Sequence, residues 1–279
     1  MYEAGKIHNT IKEMRRLSIS ILGISEMRWP NSGQSVVDDH TIYYIGDDGT
    51  RNRNGVAVIL SKGAAPAFTN TVLLSDRVMM VQMKTDKVDL IIVQVYALTY
   101  DHDEEEMENF YHQIEELLKL TKSNQMTVIM GDINAKIGRG KEDPNFGEFG
   151  LVIRNDRGDR FKRFCNENNL IIANTFFDLP ERRLYTWTSP AHTQDKIVRN
   201  QIDYICKNMR FRNSMTSVKT YPGADVPSDH NLLVGKMKVR LKKVNIRPEK
   251  TKIDHDKVNN ALFRETIQNE LNEKMRHVR

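Results

Sequence analysis

The chain has 279 residues, 39% hydrophobic and 28% charged, with 15 Gly, 8 Pro and only 2 Cys. That length suits one large domain or two modest ones and buries a core without covalent staples. Cys165 and Cys206 are too few for a disulfide scaffold or a four-cysteine zinc site, and read as reduced thiols in an intracellular protein. The start, MYEAGKIHNT, has no apolar leader core and no apolar run approaches ~18 residues, so neither a signal peptide nor a membrane span is expected.

The net charge of +5 is unevenly spread. Residues 236–279 carry 13 Lys and Arg against 6 Asp and Glu, a net of +7, leaving 29 against 31 in residues 1–235. A basic tail on a near-neutral body fits an arm for nucleic acid or another polyanion, and on composition alone fits a solvated linker equally well.

In chain order, residues 2–17 are expected as a helix, with Ile7, Ile11, Met14 and Leu17 at helical spacing. Strands are expected at 19–24, 41–45, 55–60, 78–84 and 90–96, many of them rich in Val, Ile and Tyr. The acidic stretch 101–108 opens a helix reaching about residue 120, its carboxylates placed where the helix dipole favours them. A short buried strand at 126–130 runs into Gly131–Asp132. A Gly, Asp and Asn-rich loop covers 138–158, and 161–168 is expected as a helix. Further strands are expected at 170–174, 185–188, 201–206, 215–220 and 231–239. Many strands with few helices indicate a layered α/β sandwich over residues 1–240. Beyond it, 240–252 reads as a basic linker and 256–275 as an amphipathic helix, together a tail over 241–279.

Polar residues recur just past the ends of apolar strands. Glu26 follows ILGIS, Tyr96 closes LIIVQV, and Asp132 and Asn134 follow TVIMG; Asp203 interrupts NQIDYI, and Asp229 and His230 precede NLLV. Strand ends on one sheet edge converge, so such carboxylates can share a hard cation, and Mg²⁺ needs only one or two of them plus water and phosphate oxygens. A histidine beside them can exchange protons near neutral pH, which suits metal-assisted hydrolysis of a phosphate ester. Each member has a plainer reading: Glu26 as a surface residue, Asp132 to Asn134 as an Asx turn, Asp229 as a capping residue. Asp203 is hardest to explain away, because a carboxylate inside an apolar strand needs a partner or a metal.

ISEMRW (24–29), QVYALT (94–99), GDINAKIG (131–138), RLYTWTSP (183–190), RNQIDYI (199–205) and PSDHNLL (227–233) resemble, in order and spacing, the endonuclease/exonuclease/phosphatase superfamily. More narrowly the chain is similar to the apurinic-type endonuclease domain of RTE/BovB-type non-LTR retrotransposons and to the host-resident craniofacial development protein 2-like proteins. The resemblance covers nearly all of residues 1–245 and implies a four-layer sandwich of two mixed β-sheets flanked by helices. It implies an endonuclease that hydrolyses DNA phosphodiesters with Mg²⁺, or Mn²⁺ as the alternative ion, and leaves a 3′-hydroxyl. Glu26 would be a metal ligand, Asp132 would activate or position water, and Asn134 would hold that water or the phosphate. Tyr96 would donate to a phosphate oxygen, His230 would contact the scissile phosphate with Asp203 orienting its ring, and Asp229 would serve the metal and the leaving group. DNA is the implied partner, with no membrane and no obligate protein partner, and a nuclear location is expected.

Arg182, Arg183, Tyr185, Trp187 and Arg199 fall where a DNA-contacting segment would lie, since arginines track phosphates and aromatics stack on bases. Trp187 also reads as a core residue of its own strand. Family members begin with a buried strand carrying Trp-Asn-Val; here Met1 stands after that position, so an interior strand and one site ligand are expected to be missing. Leu98 replaces the proline usual after Tyr-Ala, and Ile133 an aromatic. Two other functions fit the same motifs: a catalytically disabled chain that binds nucleic acid through its tail, and a small-molecule phosphatase. The retrotransposon-like motifs and the basic tail weigh against the phosphatase.

Overall fold

The computed structural model describes residues 5–49, 53–100, 102–140, 144–151, 153–191, 197–239 and 260–276. Strand β4 (Val56–Leu60) shows how its layers form. All five residues are buried, as a continuous VAVIL run covered on both faces requires. Val56, Val58 and Leu60 enter one apolar cluster, Ala57 and Ile59 another. Around it lies an antiparallel four-stranded sheet in the order β1 (Ile21–Ser25), β4, β3 (His40–Ile45), β2 (Ser32–Val37). Its outer face packs on Met14 of helix α1 (Lys6–Arg16).

The second sheet has six strands, in the order β5 (Phe68–Ser75), β6 (Val78–Met83), β7 (Leu90–Tyr96), β8 (Met126–Asp132), β12 (Asp203–Asn208), β9 (Leu170–Ile172). It is mixed because β7 and β8 run parallel. A parallel pair needs a crossover, here containing helix α2 (Glu104–Lys119), whose cap Asp103 accepts from the Glu106 N–H at 2.8 Å. Phe110, Ile114 and Leu117 of α2, with Phe161 and Phe164 of α3 (Asp156–Glu167), cover the outer face of this sheet. The inner face meets the first sheet through Val56, Val58, Leu60, Met79, Val81, Ile92 and Val128. The layers are therefore helix, sheet, sheet, helices: the expected four-layer sandwich, with the larger sheet mixed and the smaller one antiparallel. Two short ribbons complete the body, β10 (Trp187–Thr188) with β11 (Arg199–Asn200) and β13 (Met215–Tyr221) with β14 (Leu232–Met237). Among the described residues β1 pairs on one side only, with β4, and β14 only with β13.

The chain divides into two compact units, Met1–Arg240 and Leu241–Arg279. The second holds α4 (Ala261–Arg276), on which Leu262, Ile267, Leu271 and Met275 are exposed. The basic stretch 240–252 and residues 256–259 lie outside the described residues, as does the start of the first helix. No helix among the described residues is long and apolar enough to cross a membrane.

Several expected boundaries move for identifiable reasons. Strands β2 and β5 were not expected: β2 (SGQSVV) is a polar edge strand, and β5 interrupts its apolar residues with Thr and Asn. Helix α3 starts at Asp156 rather than 161 because Asn155 caps it, accepting from the Gly158 N–H at 3.0 Å. The strand expected at 170–174 ends at Ile172, where a 3₁₀ turn, Ala173–Phe176, takes over. The strand expected at 201–206 begins at Asp203 and runs on to Asn208, so Asp203 sits at its mouth and not in its middle.

Lys207 is a buried cation in this frame. Tyr204 and Cys206 enter the helix-side cluster and Ile205 the inter-sheet one, so alternation sends Lys207 inward, where it is 0% exposed. Its ammonium donates to the Ser214 hydroxyl and lies 3.6 Å from Met237 Sδ, with no carboxylate partner among the described residues. Burial lowers its pKa from 10.5 to about 8. Between those values the unfolded chain binds more protons at this group, so the cost of burying Lys207, about 3 kcal/mol at most, is relieved as pH rises across the window, while the raised His230 works in the opposite direction. We expect Lys207→Met to unfold at higher denaturant than the unaltered chain at pH 7 and that advantage to shrink toward pH 10; denaturant titrations of both chains from pH 7 to 10 check the difference.

Candidate active site

Three of the sequence-predicted residues form one row. The parallel register sets Tyr96 beside Asp132, and the antiparallel register sets Asp132 opposite Asp203. Cross-strand neighbours project to one face, here the face turned toward the other sheet, where Tyr96 and Ile205 join the inter-sheet cluster. Gly131 makes the approach possible: its φ is +144°, and a Cβ there would stand 1.9 Å from the Val95 carbonyl oxygen. After it, Asn134 takes a left-handed φ of 50°, which asparagine tolerates. Its N–H donates to Asp132 Oδ1 at 2.9 Å and its side-chain amide to the Ala97 carbonyl at 3.0 Å. The Asx turn and the site are therefore the same object.

The loop after β13 brings His230 over this row. His230 Nδ1 lies 2.9 Å from Asp203 Oδ2 and Nε2 lies 3.9 Å from Asp132 Oδ2. The His230 N–H donates to Ser228 Oγ at 3.0 Å, and Trp187 bridges to His230 through the backbone. The Trp187 indole donates to Asp229 Oδ2 at 2.9 Å. Trp187 is thus half-buried and tied to the site, not a core residue.

Glu26 reaches the row through Tyr96, whose hydroxyl donates to Glu26 Oε1 at 2.8 Å. Arg77, Arg28 and Ser25 are site residues that the strand-end pattern does not reveal. The Arg77 guanidinium lies 5.0 Å over the Tyr96 ring and donates to Asn54 Oδ1 at 3.1 Å. Ser25 Oγ accepts from the Asp132 N–H at 3.3 Å and donates to the Val95 carbonyl at 3.1 Å, locking β1 onto the row. Only three-dimensional pairing identifies Arg77 and Ser25, whose contacts span long stretches of chain, whereas Arg28 pairs with Glu26 only two residues away across a turn that the apolar pattern does not mark.

Charge is concentrated here around a buried carboxylate, Asp132. Burial first, and then the facing charge of Asp203, push the Asp132 carboxyl well above the usual carboxylate range. Burial would lower His230, but the Asp203 carboxylate and its hydrogen bond, with Asp132 and Asp229 behind, outweigh it and hold the imidazole at about 10. The Tyr96 phenol is pushed up by burial and then by Glu26, so it stays a donor. Ligand atoms of Asp132, Asp203 and His230 all lie within 4.8 Å of one another. With Glu26 coupled electrostatically to Asp132, the carboxylate oxygens at this edge fit a hard divalent ion, while the protonated His230 fits a negatively charged oxygen.

The other predicted contacts separate into two kinds. Arg183 braces the fold, donating to the Thr220 carbonyl at 2.9 Å and lying 5.5 Å over Tyr221. Arg182 is exposed on the 3₁₀ turn Glu181–Arg183, and exposed Arg199 lies 4.5 Å over the Tyr185 ring. Ile133, 2% exposed, is a packing residue, and the Leu98 carbonyl accepts from Arg157 at 2.5 Å.

Comparison with known proteins gives one consistent picture. Residues 90–234 match the family model described as "Endonuclease-reverse transcriptase". The chain is 41% identical over 268 residues to craniofacial development protein 2 of Bos taurus and 43% identical over 238 residues to that of Tragulus javanicus, covering 95% and 85% of this chain. It spans 44% and 41% of the length of those relatives. Among solved structures, the endonuclease domain of TRAS1, a telomere-specific non-LTR retrotransposon, aligns with a TM-score of 0.61 at 14% identity over 86% of this chain and 95% of that one. The AP endonuclease LMAP of Leishmania major aligns with a TM-score of 0.62 at 13% identity over 85% of each chain. A 3′ phosphatase from Neisseria, bound to a product DNA hairpin, gives 0.63 at 15% identity over 85% of this chain and 95% of that one. The strand-end row is built on the fold these structures share, and the chain belongs to the endonuclease–reverse transcriptase family of the endonuclease/exonuclease/phosphatase fold.

Proposed function

We propose that the chain is a divalent-ion-dependent DNA endonuclease of retrotransposon origin, acting where β7 and β8 end and β12 begins. The observation that carries this reading is the His230 imidazole set between two aligned carboxylates, 2.9 Å from Asp203 and 3.9 Å from Asp132, beside a Tyr96–Glu26 pair. Glu26 and Asp229 would hold Mg²⁺ or Mn²⁺, with Asp132 in reach; the ion supplies neutralisation of the negative charge that builds on the phosphate.

The chain's own groups do the rest. Asp132 takes a proton from the attacking water while Asn134 holds that water or a phosphate oxygen. As the new P–O bond forms and the bond to the 3′ oxygen breaks, His230 and Tyr96 donate to the phosphate oxygens. Asp203 keeps the imidazole turned and charged. Trp187 occupies one Asp229 oxygen and leaves the other for the leaving-group side, where the departing 3′ oxygen takes a proton from solvent water to become a 3′-hydroxyl and the hydroxide so formed takes up the proton held by Asp132. The Tyr185–Arg199 stack and Arg182 would meet the DNA backbone, and the basic tail 241–279 would add further phosphate contacts as a separate unit. Action on chromosomal DNA would place the protein in the nucleus.

Asp132→Asn should lower Mg²⁺-dependent nicking of supercoiled plasmid at least ~100-fold, the weight of a lost general base. Its melting temperature should stay level or rise, because one of two facing carboxylates is gone. Persistent nicking by a clean preparation of that variant would remove Asp132 from its role. Turnover of a small phosphomonoester with plasmid left intact would point to a phosphatase instead. Deleting 241–279 should weaken duplex binding and flatten its salt dependence, and Arg199→Ala should cut the slope by about one phosphate. Binding across a salt series reads both, and an unchanged slope would take those residues off the DNA.

A further inference from the structure

Glu26 and Arg28 flank Met27, which is 0% exposed in the outer cluster of the four-stranded sheet. Both flanking residues hold left-handed backbone, φ 54° and 59°, a conformation costing about 1 kcal/mol or more for each such side chain. The turn is nonetheless fixed. The Met27 N–H donates to the Gly55 carbonyl at 2.8 Å and the Arg28 N–H to the Asn54 carbonyl at 2.9 Å. Three residues on, the Asn31 N–H donates to the Asp47 carbonyl at 2.8 Å and the Asn31 carbonyl accepts from Gly46 at 2.7 Å. The strained turn ends with Arg28 Nη2 at 2.5 Å from Glu26 Oε2, while Tyr96 holds Oε1 at 2.8 Å.

Both oxygens of the proposed metal ligand are thus occupied, one by a neutral phenol and one by a cation. Arg28 donates its side chain to no other acceptor among the described residues, and its side chain is 51% exposed. We propose that Arg28 keeps the place of a cation on Glu26 and passes to a nucleic-acid phosphate when a divalent ion takes that carboxylate. This rests on the nuclease reading above. An exposed ion pair contributes at most about 1 kcal/mol, so a divalent ion displaces it readily. The freed guanidinium, a planar fork suited to phosphate, stays at the site because its backbone is pinned. Ion and DNA then favour one another's binding through a single side chain, and the coupling is reciprocal.

The test uses Arg28→Asn, since asparagine accepts left-handed backbone and leaves the turn intact. Mn²⁺ binding is followed by loss of the free-ion EPR signal. Binding of a short labelled duplex is followed across a salt series with and without Ca²⁺. Arg28→Asn should bind Mn²⁺ about fivefold tighter, the weight of one exposed pair. With Ca²⁺ it should bind the duplex more weakly, its salt slope smaller by about one, and without Ca²⁺ it should match the unaltered chain. In a Glu26→Gln background the substitution should leave Mn²⁺ affinity unchanged. Mn²⁺ affinity that fails to rise, or an equal loss of duplex binding with and without Ca²⁺, overturns the exchange while leaving the nuclease reading standing. If the unaltered chain binds neither Mn²⁺ nor duplex, both fall together.

Discussion

Two carboxylates face each other across a strand pair, Asp132 on β8 and Asp203 on β12, with Asp132 only 4% exposed. Like charges so placed repel, and burial sharpens the repulsion. The arrangement persists because His230 lies against both and carries the compensating proton. Much of the surrounding structure serves that balance. The 228–231 loop is held by Ser228 and the Trp187 ribbon, and Thr186 Oγ accepts the Ile202 and Asp203 N–H groups at 3.0 Å each. Asn174 closes the other side, donating to the Asp203 carbonyl at 3.0 Å and accepting from the Ile205 N–H at 2.9 Å.

The fold supplies this balance by register. A parallel β7–β8 pair and an antiparallel β8–β12 pair bring two strand C-termini and one N-terminus to the same edge, so Tyr96, Asp132 and Asp203 align without any loop having to aim them. Such placement on rigid elements is what a site requiring fixed distances needs. The four-stranded sheet contributes through the Ser25 hydroxyl and through the strained turn that carries Glu26. The core between the sheets therefore does more than stabilise: it sets the height of Glu26 over the row.

What was legible in the sequence follows from this geometry. A polar residue just past an apolar run marks a strand end, and for that reason Glu26, Tyr96, Asp132, Asn134, Asp203 and His230 could be named from spacing. A layered α/β sandwich was legible in runs such as VAVIL and LIIVQV, and the number of layers came from the family resemblance. Arg77 and Ser25 were not legible, because their importance lies in contacts to residues distant in the chain, such as the Ser25–Asp132 bond spanning 107 positions, and Arg28 was not, because its pair with Glu26 depends on a left-handed turn that no apolar pattern marks. Edge strands β2 and β5 escaped because a half-exposed strand carries a weak apolar signal. Trp187 has an aromatic body half-buried and a polar tip on Asp229, so neither core packing nor DNA contact by itself describes it.

The balance of two carboxylates and one imidazolium gains a purpose if the site cuts DNA. Supercoiled DNA incubated with the unaltered chain, then offered to a polymerase, tests this most directly. The account predicts nicks that appear with Mg²⁺, vanish with EDTA and prime synthesis from a 3′-hydroxyl. DNA left supercoiled by folded protein in both Mg²⁺ and Mn²⁺, or nicks that cannot be extended, would contradict it.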